Sequence, residues 1–203
     1  IGDMLLGSLE NEDLIGLCWY DSGARCFYNT KKVIKTPKDL AGMKIRVQQS
    51  EMMVEMLNLL DVIATPMSYG DVYTGLKIGT IEGAENNWPS YESTKHYEVA
   101  KYFTVDEHTR IPEITIASKL VMDKLSAEDQ QIIRQAAKDS MSYQIIEWKK
   151  EEKRAEQRVR AAGCAITPIT DKSAFQEAMK PFFETQPKEI QDLIKRIQEL
   201  YYE

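Results

Sequence analysis

Short apolar runs alternate with helix-like patterns along the first half of the chain. The run Leu14–Tyr20 predicts a buried strand, and the segments 25–28 and 44–48 predict two more. Helical spacing of apolar residues follows Ser50, the expected N-cap, and returns over residues 70–78. A rhythm of strand, helix and strand is typical of an α/β protein, so we expect a mostly parallel sheet with helices on both faces.

The second half contains one long, uninterrupted helical pattern. Ser126 opens a capping box with Asp129, and no proline or glycine follows until Gly163. The apolar residues recur at steps of three, four and seven at Ile133, Ala137, Met141, Ile145, Trp148, Ala155, Val159 and Ala162. This pattern predicts a single helix from about Ala127 to about Ala162, on the order of 54 Å long at 1.5 Å per residue.

The last forty residues predict one strand and two helices. The strand is expected at residues 165–167. A helix built on Phe175, Ala178, Met179 and Phe182 contains Pro181, which we expect to kink or divide it. A final helix begins at Pro187, and we expect its apolar residues to face inward, namely Ile190, Leu193, Ile194, Ile197 and Leu200.

The composition is that of a globular protein, and it narrows the possible functions. Of the 203 residues, 43% are apolar and 29% are charged, and the formal net charge is −6. A negative net charge disfavours nucleic acid as a partner, because phosphates need a basic protein face. No apolar run approaches the ~20 residues of a membrane-spanning helix. We therefore expect a chain that does not itself span a membrane.

The cysteines and the first residue bear on chemistry and cellular compartment. Cys18, Cys26 and Cys164 form no CxxC pair, so we predict free thiols rather than a zinc or redox motif. The chain begins at Ile1, with no initiator Met and no leader-like segment. We expect that a signal peptide and more has been removed, or that the chain is part of a longer protein.

The chain carries few signals of catalysis. It has no GxSxG, phosphate-loop, GxGxxG or HExxH motif, and its two histidines are His96 and His108. A metal site can be imagined from residues 106–108 with Glu113, but consecutive residues of an extended segment point to opposite sides. We therefore favour surface or hinge contacts for these residues, and predict no catalytic residue, metal or cofactor.

Two arginines stand out because they lie in apolar strands. Arg25 lies at the end of one predicted strand, and Arg46 lies between Ile45 and Val47 in another. A guanidinium in such a place needs an anion or must reach solvent. Each arginine is therefore either one half of a buried ion pair, or a two-pronged donor for the carboxylate of a ligand.

Two asparagines and one tyrosine can likewise have either a structural or a ligand-binding role. Asn86 and Asn87 precede Trp88-Pro89, where a strand-to-helix turn explains them, although a side-chain amide can also bind a ligand oxygen. Tyr69, just after Pro66-Met67-Ser68, is either a core residue or a wall on which a sugar ring stacks.

Three segments, in order and with sensible spacing, resemble the solute-binding proteins of TRAP (tripartite ATP-independent periplasmic) transporters. They are residues 36–47 (TPKDLAGMKIRV), 66–76 (PMSYGDVYTGL) and 79–87 (GTIEGAENN). The resemblance covers about residues 14–167, and the long helix is similar to the family's hinge-spanning helix. It implies a two-lobed α/β fold of the type II periplasmic-binding-protein class and a receptor rather than an enzyme. Such a receptor captures a carboxylate-bearing solute between its lobes and delivers it to membrane permease subunits.

The resemblance also implies roles for individual residues. Arg46 matches the family's carboxylate-binding arginine, and Arg25 matches a second ligand-facing arginine. Asn86 matches the ligand-binding asparagine, but Asn87 departs from the family pattern, so either amide can be the one that faces the ligand. Tyr69 matches the aromatic residue that precedes the following helix.

The remaining implications concern the ligand and the location of the protein. His108 lies where the family often has a polar residue near the hinge, and we include it among the ligand-binding candidates. The segments 23–29, 96–102 and 106–109 look most like members that bind sugar acids such as glucuronate or galacturonate. The protein is accordingly expected in the periplasm or another extracytoplasmic space.

Family members are usually much longer at the N-terminus, where they carry most of the first lobe. We therefore expect residues 1–20 to be a remnant of that lobe with a hinge strand, and residues 21–110 to form the second α/β lobe. Residues 111–162 would form a hinge strand and the long hinge helix, packed on the first lobe. Residues 163–203 would return to the second lobe.

Three other functions remain open on the residues alone. The same fold can bind a C4-dicarboxylate or another organic acid. A small α/β enzyme acting on an organic acid would need a general base near the arginines, for which Glu85 and His108 are the candidates. A transcriptional effector domain shares the two-lobed architecture, but it would need a basic DNA-binding segment, which is not visible here.

Overall fold

The computed structural model describes residues 1–201. In that part of the chain the strands are Leu14–Tyr20 (β1), Ala24–Asn29 (β2), Lys44–Val47 (β3), Ile63–Pro66 (β4), Gly83–Asn86 (β5), Tyr102–Arg110 (β6), Glu113–Ser118 (β7) and Ala165–Pro168 (β8). The α-helices are Gly2–Ser8 (α1), Glu51–Asn58 (α2), Val72–Ile78 (α3), Trp88–Ser93 (α4), His96–Val99 (α5), Lys119–Met122 (α6), Ala127–Ala161 (α7), Ser173–Glu184 (α8) and Lys188–Tyr201 (α9).

The chain divides into two compact units. The smaller unit combines Ile1–Gly23 with Arg110–Arg154, and the larger unit combines Ala24–Thr109 with the chain from Ala155 onward. The backbone therefore passes from one unit to the other three times, and the third passage lies inside α7.

The larger unit is built on a six-stranded sheet with the strand order β4-β3-β5-β2-β6-β8. The pairs β3–β4, β3–β5 and β6–β8 are parallel. The pair β2–β5 is antiparallel, with Cys26 opposite Asn86. The expectation of a mostly parallel sheet is thus confirmed, with β2 as the reversed strand. Because β2 runs against β5, it begins at the edge of the sheet where β5 ends.

Both faces of this sheet are covered, as expected. On one face Tyr28 and Ala84 pack with residues of α3, α4 and the last turns of α7. On the other face Phe27, Ile45 and Val47 pack with α2 and α8. Successive side chains along a strand point to opposite faces, so neighbouring residues of β2 and β3 enter different cores. This alternation puts Arg46 on the face of Tyr28 and Ala84.

The smaller unit pairs β1 antiparallel with β7 and packs on the first part of α7. Its boundary segments are joined by side chains. Gln144 of α7 accepts a hydrogen bond from the Asp21 amide at 2.9 Å and donates to the Asp21 carbonyl at 2.7 Å. Oδ1 of Asp21 accepts from the Gly23 amide at 2.9 Å and pairs with Arg110 Nη1 at 2.6 Å. Both points at which the strands leave this unit are therefore tied together.

The predicted long helix is confirmed as α7. Ser126 accepts a hydrogen bond from the Asp129 amide at 3.1 Å, as a capping residue does. Ser50 stands at the start of α2 as expected, but its side chain makes no capping hydrogen bond. Among residues 1–201, no helix is long and apolar enough to cross a membrane.

Two expectations for the C-terminal helices need correction. Pro181 was expected to kink or divide its helix, and the division is wrong, because α8 continues through Pro181 to Glu184. The apolar residues of α9 do not all face inward, since Ile190 is 42% exposed, Ile197 53% and Leu200 66%. An amphipathic pattern shows which face of a helix is apolar, and tertiary packing decides whether that face is covered.

Candidate functional site

The predicted site residues collect at the edge of the sheet where the parallel strands β3 and β5 end. Arg46 is the third residue of β3, and Asn86 is the last residue of β5. Arg25 is the second residue of β2, whose start lies beside the end of β5. Ligands of open α/β sheets bind outside the carboxyl ends of the strands, so the topology itself favours this edge.

Arg46 is buried without an acidic partner. Its side chain donates from Nε and Nη2 to the carbonyl oxygen of Met67, at 2.9 and 2.8 Å. Among the described residues no carboxylate forms an ion pair with it, and Nη1 makes no hydrogen bond. Burial lowers the pKa of this guanidinium, and the charge of Glu85 only partly offsets that effect. An arginine nevertheless stays protonated in proteins, so Arg46 is an uncompensated cation.

Arg25 has the buried ion pair that Arg46 lacks. Its Nη2 donates to Glu85 Oε1 at 2.8 Å and to the Glu85 carbonyl at 3.0 Å, and its Nε donates to Glu85 Oε2. Burial opposes the positive charge, but the hydrogen bond and charge of Glu85 outweigh it and raise the pKa of Arg25. Nη1 makes no hydrogen bond with any described residue and is not sealed from solvent. Arg25 is thus both paired and still able to donate.

His108 is buried beside this pair, between Glu85 and Asp106. Its Nδ1 is 2.6 Å from Asp106 Oδ2, and its Nε2 is 3.6 Å from Glu85 Oε2, which is an ion-pair distance but not a hydrogen bond. Its ring stacks on Phe27 with centroids 4.2 Å apart. Burial disfavours the imidazolium, but Asp106 and Glu85 outweigh it and raise the pKa of His108 to about 9. Since both ring nitrogens face acids, His108 is a second cation that compensates the charge of Glu85.

Asp106 and His108 are two residues apart on a strand, so they share a face and can meet. Consecutive residues of a strand point to opposite sides, but Asp106 and His108 are not consecutive, so that argument against a shared site does not apply to them. Among the described residues, no group of three or more histidine, cysteine, aspartate and glutamate side chains has the arrangement of a metal site.

The two asparagines differ in their surroundings. Asn86 Oδ1 accepts from the Asn87 amide at 2.9 Å, while its Nδ2 makes no hydrogen bond with the described residues. Asn87 Oδ1 accepts from the Ser90 amide at 2.8 Å and so caps α4. The turn explanation therefore fits Asn87, and Asn86 has the available amide.

Tyr69 stands beside Arg46 at the surface. Its side chain is 42% exposed, and the Arg46 guanidinium carbon lies 5.6 Å from the centre of its ring. The rings of Tyr69 and His96 make an edge-to-face contact, with centroids 5.9 Å apart. Tyr69 is therefore not a core residue, and one part of its ring remains available for stacking.

Glu85 links most of these groups. It pairs with Arg25, faces His108, and lies within electrostatic reach of Arg46. It immediately precedes the two asparagines. Sequence reasoning considered Glu85 only as a possible base, and it assigned no role to Tyr28 or His96. The available signal was a glutamate directly after Gly83 and Ala84, which needs a cation if the segment is buried.

Comparisons with known proteins also indicate a solute-binding protein. The family described as bacterial extracellular solute-binding protein, family 7 (DctP), matches residues 1–192. This chain belongs to that family. The family is that of TRAP solute-binding proteins, as three motifs of the sequence indicated. A relative from Chromohalobacter salexigens, named a solute-binding protein, is 41% identical over 202 residues, which are 98% of this chain and 60% of that protein.

Two solved TRAP periplasmic solute-binding proteins are close in structure. One from Chromohalobacter salexigens, with bound D-glucuronate, has a TM-score of 0.94 at 41% identity, covering 98% of this chain and 67% of that chain. One from a Bradyrhizobium species, in complex with α/β-D-galacturonate, has a TM-score of 0.92 at 45% identity with the same coverages. The α/β class of a TRAP solute-binding protein is thereby confirmed. The chain spans about 60% of the length of the curated relative it matches.

Proposed function

We propose that this TRAP solute-binding chain carries the carboxylate-binding half of a receptor for a sugar acid, such as D-glucuronate or D-galacturonate. The observation that carries the proposal is a set of three N–H donors without a partner among the described residues. They are Arg46 Nη1, Arg25 Nη1 and Asn86 Nδ2, from three neighbouring strands at one edge of the sheet.

Donors without acceptors suit a ligand that is rich in acceptors and negatively charged. A carboxylate accepts two parallel hydrogen bonds from a guanidinium, and such charge-assisted bonds are about twice as strong as neutral ones. Arg46 is also held in place by Met67 before any ligand arrives. A preorganised donor loses less conformational entropy when a ligand binds.

The charge balance of this group favours one carboxylate over two. Glu85 compensates Arg25, and Asp106 compensates His108, at the distances given above. Arg46 is then the cation of this group that has no acid. A uronate has one carboxylate and several hydroxyls, which the Asn86 amide and the Arg25 Nη1 can bind. A C4-dicarboxylate would bring a second charge that this group does not compensate.

The charges in this group also argue against an enzyme that acts on an organic acid. A general base needs a group that is unprotonated and able to accept a proton near neutral pH. Although burial favours its neutral form, His108 and Arg25 hold the pKa of Glu85 below the usual value of a glutamate, so it is a poor proton acceptor. His108, with a pKa raised to about 9, is already protonated at neutral pH. Neither candidate suits the role of base.

Further assignments follow from the family. We assign the larger unit to the second lobe, and the smaller unit to part of the first lobe with the hinge strands. His108 is a support of Glu85 rather than a direct ligand contact, and Asn87 remains a weaker candidate than Asn86. We also infer a periplasmic or other extracytoplasmic location and delivery of the ligand to TRAP permease subunits.

A ligand screen by thermal unfolding tests the proposal on the intact protein that carries this chain. D-glucuronate, D-galacturonate, D-glucose and succinate are compared at equal concentration. A ligand that binds the native state raises Tm, by an amount equivalent to about 2.7 kcal/mol at a hundred times Kd. We expect the two uronates to raise Tm, D-glucose to leave it unchanged because it lacks the carboxylate, and succinate to act weakly. A larger shift with succinate would overturn the assignment to sugar acids.

A further inference from the structure

His96 is a buried histidine that lies next to the proposed ligand-binding residues. The proposed function gives it no role. It is the first residue of α5 and only 1% exposed. It faces Tyr28 of β2 through its Nδ1, and its ring makes an edge-to-face contact with the ring of Tyr69. It also lies within electrostatic reach of Arg46. Three elements of the site thus converge on one imidazole.

The contact with Tyr28 determines which nitrogen of His96 carries the proton. The Tyr28 hydroxyl lies 2.8 Å from His96 Nδ1, and Tyr28 is 1% exposed. Burial raises the pKa of Tyr28, so the hydroxyl keeps its proton. Burial, and then the charge of Arg46, lowers the pKa of His96 to about 4, so the ring is neutral near pH 7. Among the described residues the Tyr28 hydroxyl has no other hydrogen-bond partner, so it donates its proton to Nδ1, and the ring proton of His96 is left on Nε2.

The Tyr28–His96 pair reaches the ligand face through Tyr69. The ring planes of His96 and Tyr69 are inclined at 73° with centroids 5.9 Å apart, which is an edge-to-face contact. The centre of the Tyr69 ring also lies 5.6 Å from the Arg46 guanidinium carbon. Tyr69 is 42% exposed, so few core contacts hold it. A side chain in that position is free to move unless its neighbours hold it.

We propose that His96, kept in its Nε2–H form by Tyr28, is a positioning residue that holds the Tyr69 ring beside Arg46. The proposal rests on the proposed function for its effect on affinity, but its structural part concerns the ligand-free protein. The neutral ring of His96 supports Tyr69 without adding a second positive charge next to Arg46. Because the imidazole carries no negative charge, it also does not compete with an anionic ligand for Arg46.

Imidazole ¹⁵N NMR of the ligand-free intact protein tests the structural part. In this sequence the histidines are His96 and His108, and a His108→Asn variant assigns the two signals. We expect His96 to be neutral with its proton on Nε2 at pH 7, and an NOE between the His96 and Tyr69 rings. Tyr28→Phe removes only the hydroxyl, and should mix the two tautomers and weaken that NOE. A His96 ring that is charged at pH 7, or that carries its proton on Nδ1, would overturn the proposal.

Titration calorimetry with D-glucuronate tests the functional part. Loss of one hydrogen bond of about 1 kcal/mol corresponds to about fivefold in Kd. We expect Tyr28→Phe and His96→Phe each to weaken binding by about fivefold or more. His96→Gln keeps a hydrogen-bond acceptor for the Tyr28 hydroxyl, so it should stay within about twofold of wild type. Equal losses in His96→Gln and His96→Phe would contradict a positioning role.

Tyr73→Phe is the matched control, because the Tyr73 hydroxyl bonds Glu98 at 3.0 Å on the exposed surface, and its removal should leave Kd unchanged. If wild-type protein binds no uronate, the proposed function fails, while the NMR result still decides whether His96 holds Tyr69. If a variant is only less stable, its Tm falls while the Kd of its folded fraction is unchanged, which also contradicts the positioning role.

Discussion

Arg46 and Met67 form a guanidinium–carbonyl contact in which two N–H groups share one backbone oxygen. Nε and Nη2 of Arg46 lie 2.9 and 2.8 Å from that oxygen. A carbonyl fixes the orientation of the guanidinium but does not neutralise it. The charge therefore remains available for an anion, and the third nitrogen, Nη1, remains available as a donor.

Replacing Arg46 should therefore weaken ligand binding strongly. Removing one partner of a buried, hydrogen-bonded charge pair costs about 2–5 kcal/mol, which is about thirtyfold to several thousandfold in Kd at 1.4 kcal/mol per tenfold. We expect this loss in Arg46→Gln, and also in Arg46→Lys, because an ammonium cannot bond Met67 and a carboxylate with one planar fork. Titration calorimetry with D-glucuronate measures it.

The control for Arg46 is Lys44→Gln, which removes one positive charge from the same strand at an exposed position. Its Kd should change little, because an exposed charge is screened by solvent and salt. An Arg46→Gln protein that binds as tightly as the Lys44→Gln protein would rule out Arg46 as the carboxylate-binding residue.

Glu85→Gln should destabilise the fold rather than only the site. The glutamate is completely buried and opposes both Arg25 and His108, so its loss leaves two buried cations with less compensation. Breaking a buried pair from one side costs about 3–5 kcal/mol. Urea unfolding should show this loss, whereas Glu156→Gln, at the exposed ion pair with Arg160, should lose about 0.2–1 kcal/mol. Equal losses in the free energy of unfolding would show that the buried network around Glu85 stabilises the fold no more than an exposed ion pair does.

The stability of the protein should fall at alkaline pH through His108. Its pKa is raised to about 9 in the folded protein, against 6.5 for the free side chain. The charged form is therefore favoured by folding, so its contribution is complete below about pH 6.5 and is lost as pH rises towards 9. At 1.36 kcal/mol per unit the loss is on the order of 3 kcal/mol.

Urea unfolding at pH 6, 7.5 and 9 measures this loss, and His108→Asn should remove the pH dependence over that range. His96→Gln is the control, because the pKa of His96 is lowered, to about 4, and so it contributes nothing to the alkaline limb. A wild-type stability that is flat from pH 6 to 9 would contradict the charged state assigned to His108.

Gly23→Ala should cost more than a glycine change elsewhere with the same backbone conformation. Gly23 has a φ of +74°, and a Cβ there would clash with Glu152 Oε1 and lie 3.1 Å from Trp148 Nε1. Gly42 has a φ of +73° with nothing within 4 Å of a Cβ. Both alanines pay about 1–2 kcal/mol for a left-handed conformation, and the close contacts add to that at Gly23. Urea unfolding of both variants tests how closely Gly23 packs against α7. Equal losses of stability in Gly23→Ala and Gly42→Ala would contradict this close packing.

Local signals in the sequence were sufficient for many of the elements. The helix Ala127–Ala161 could be predicted because its capping pair, Ser126 and Asp129, is three residues apart and no proline or glycine interrupts its pattern. The strand Tyr102–Arg110 was not predicted, because its charged residues hide the alternation that marks a half-buried strand.

Residue order along the chain was enough to single out the side chains that needed partners: two arginines in apolar strands, adjacent asparagines before a proline, and an aromatic residue after a turn. It could not determine their partners. Arg25 and Glu85 are 60 positions apart, and they meet only because β2 and β5 pair antiparallel in one register.

Arg46 looks equivalent to Arg25 along the chain, yet the fold gives it a carbonyl instead of a carboxylate. The pairing of the strands makes this difference, because strand register sets which distant side chains share a face, and a one-residue shift would turn each of them to the other side.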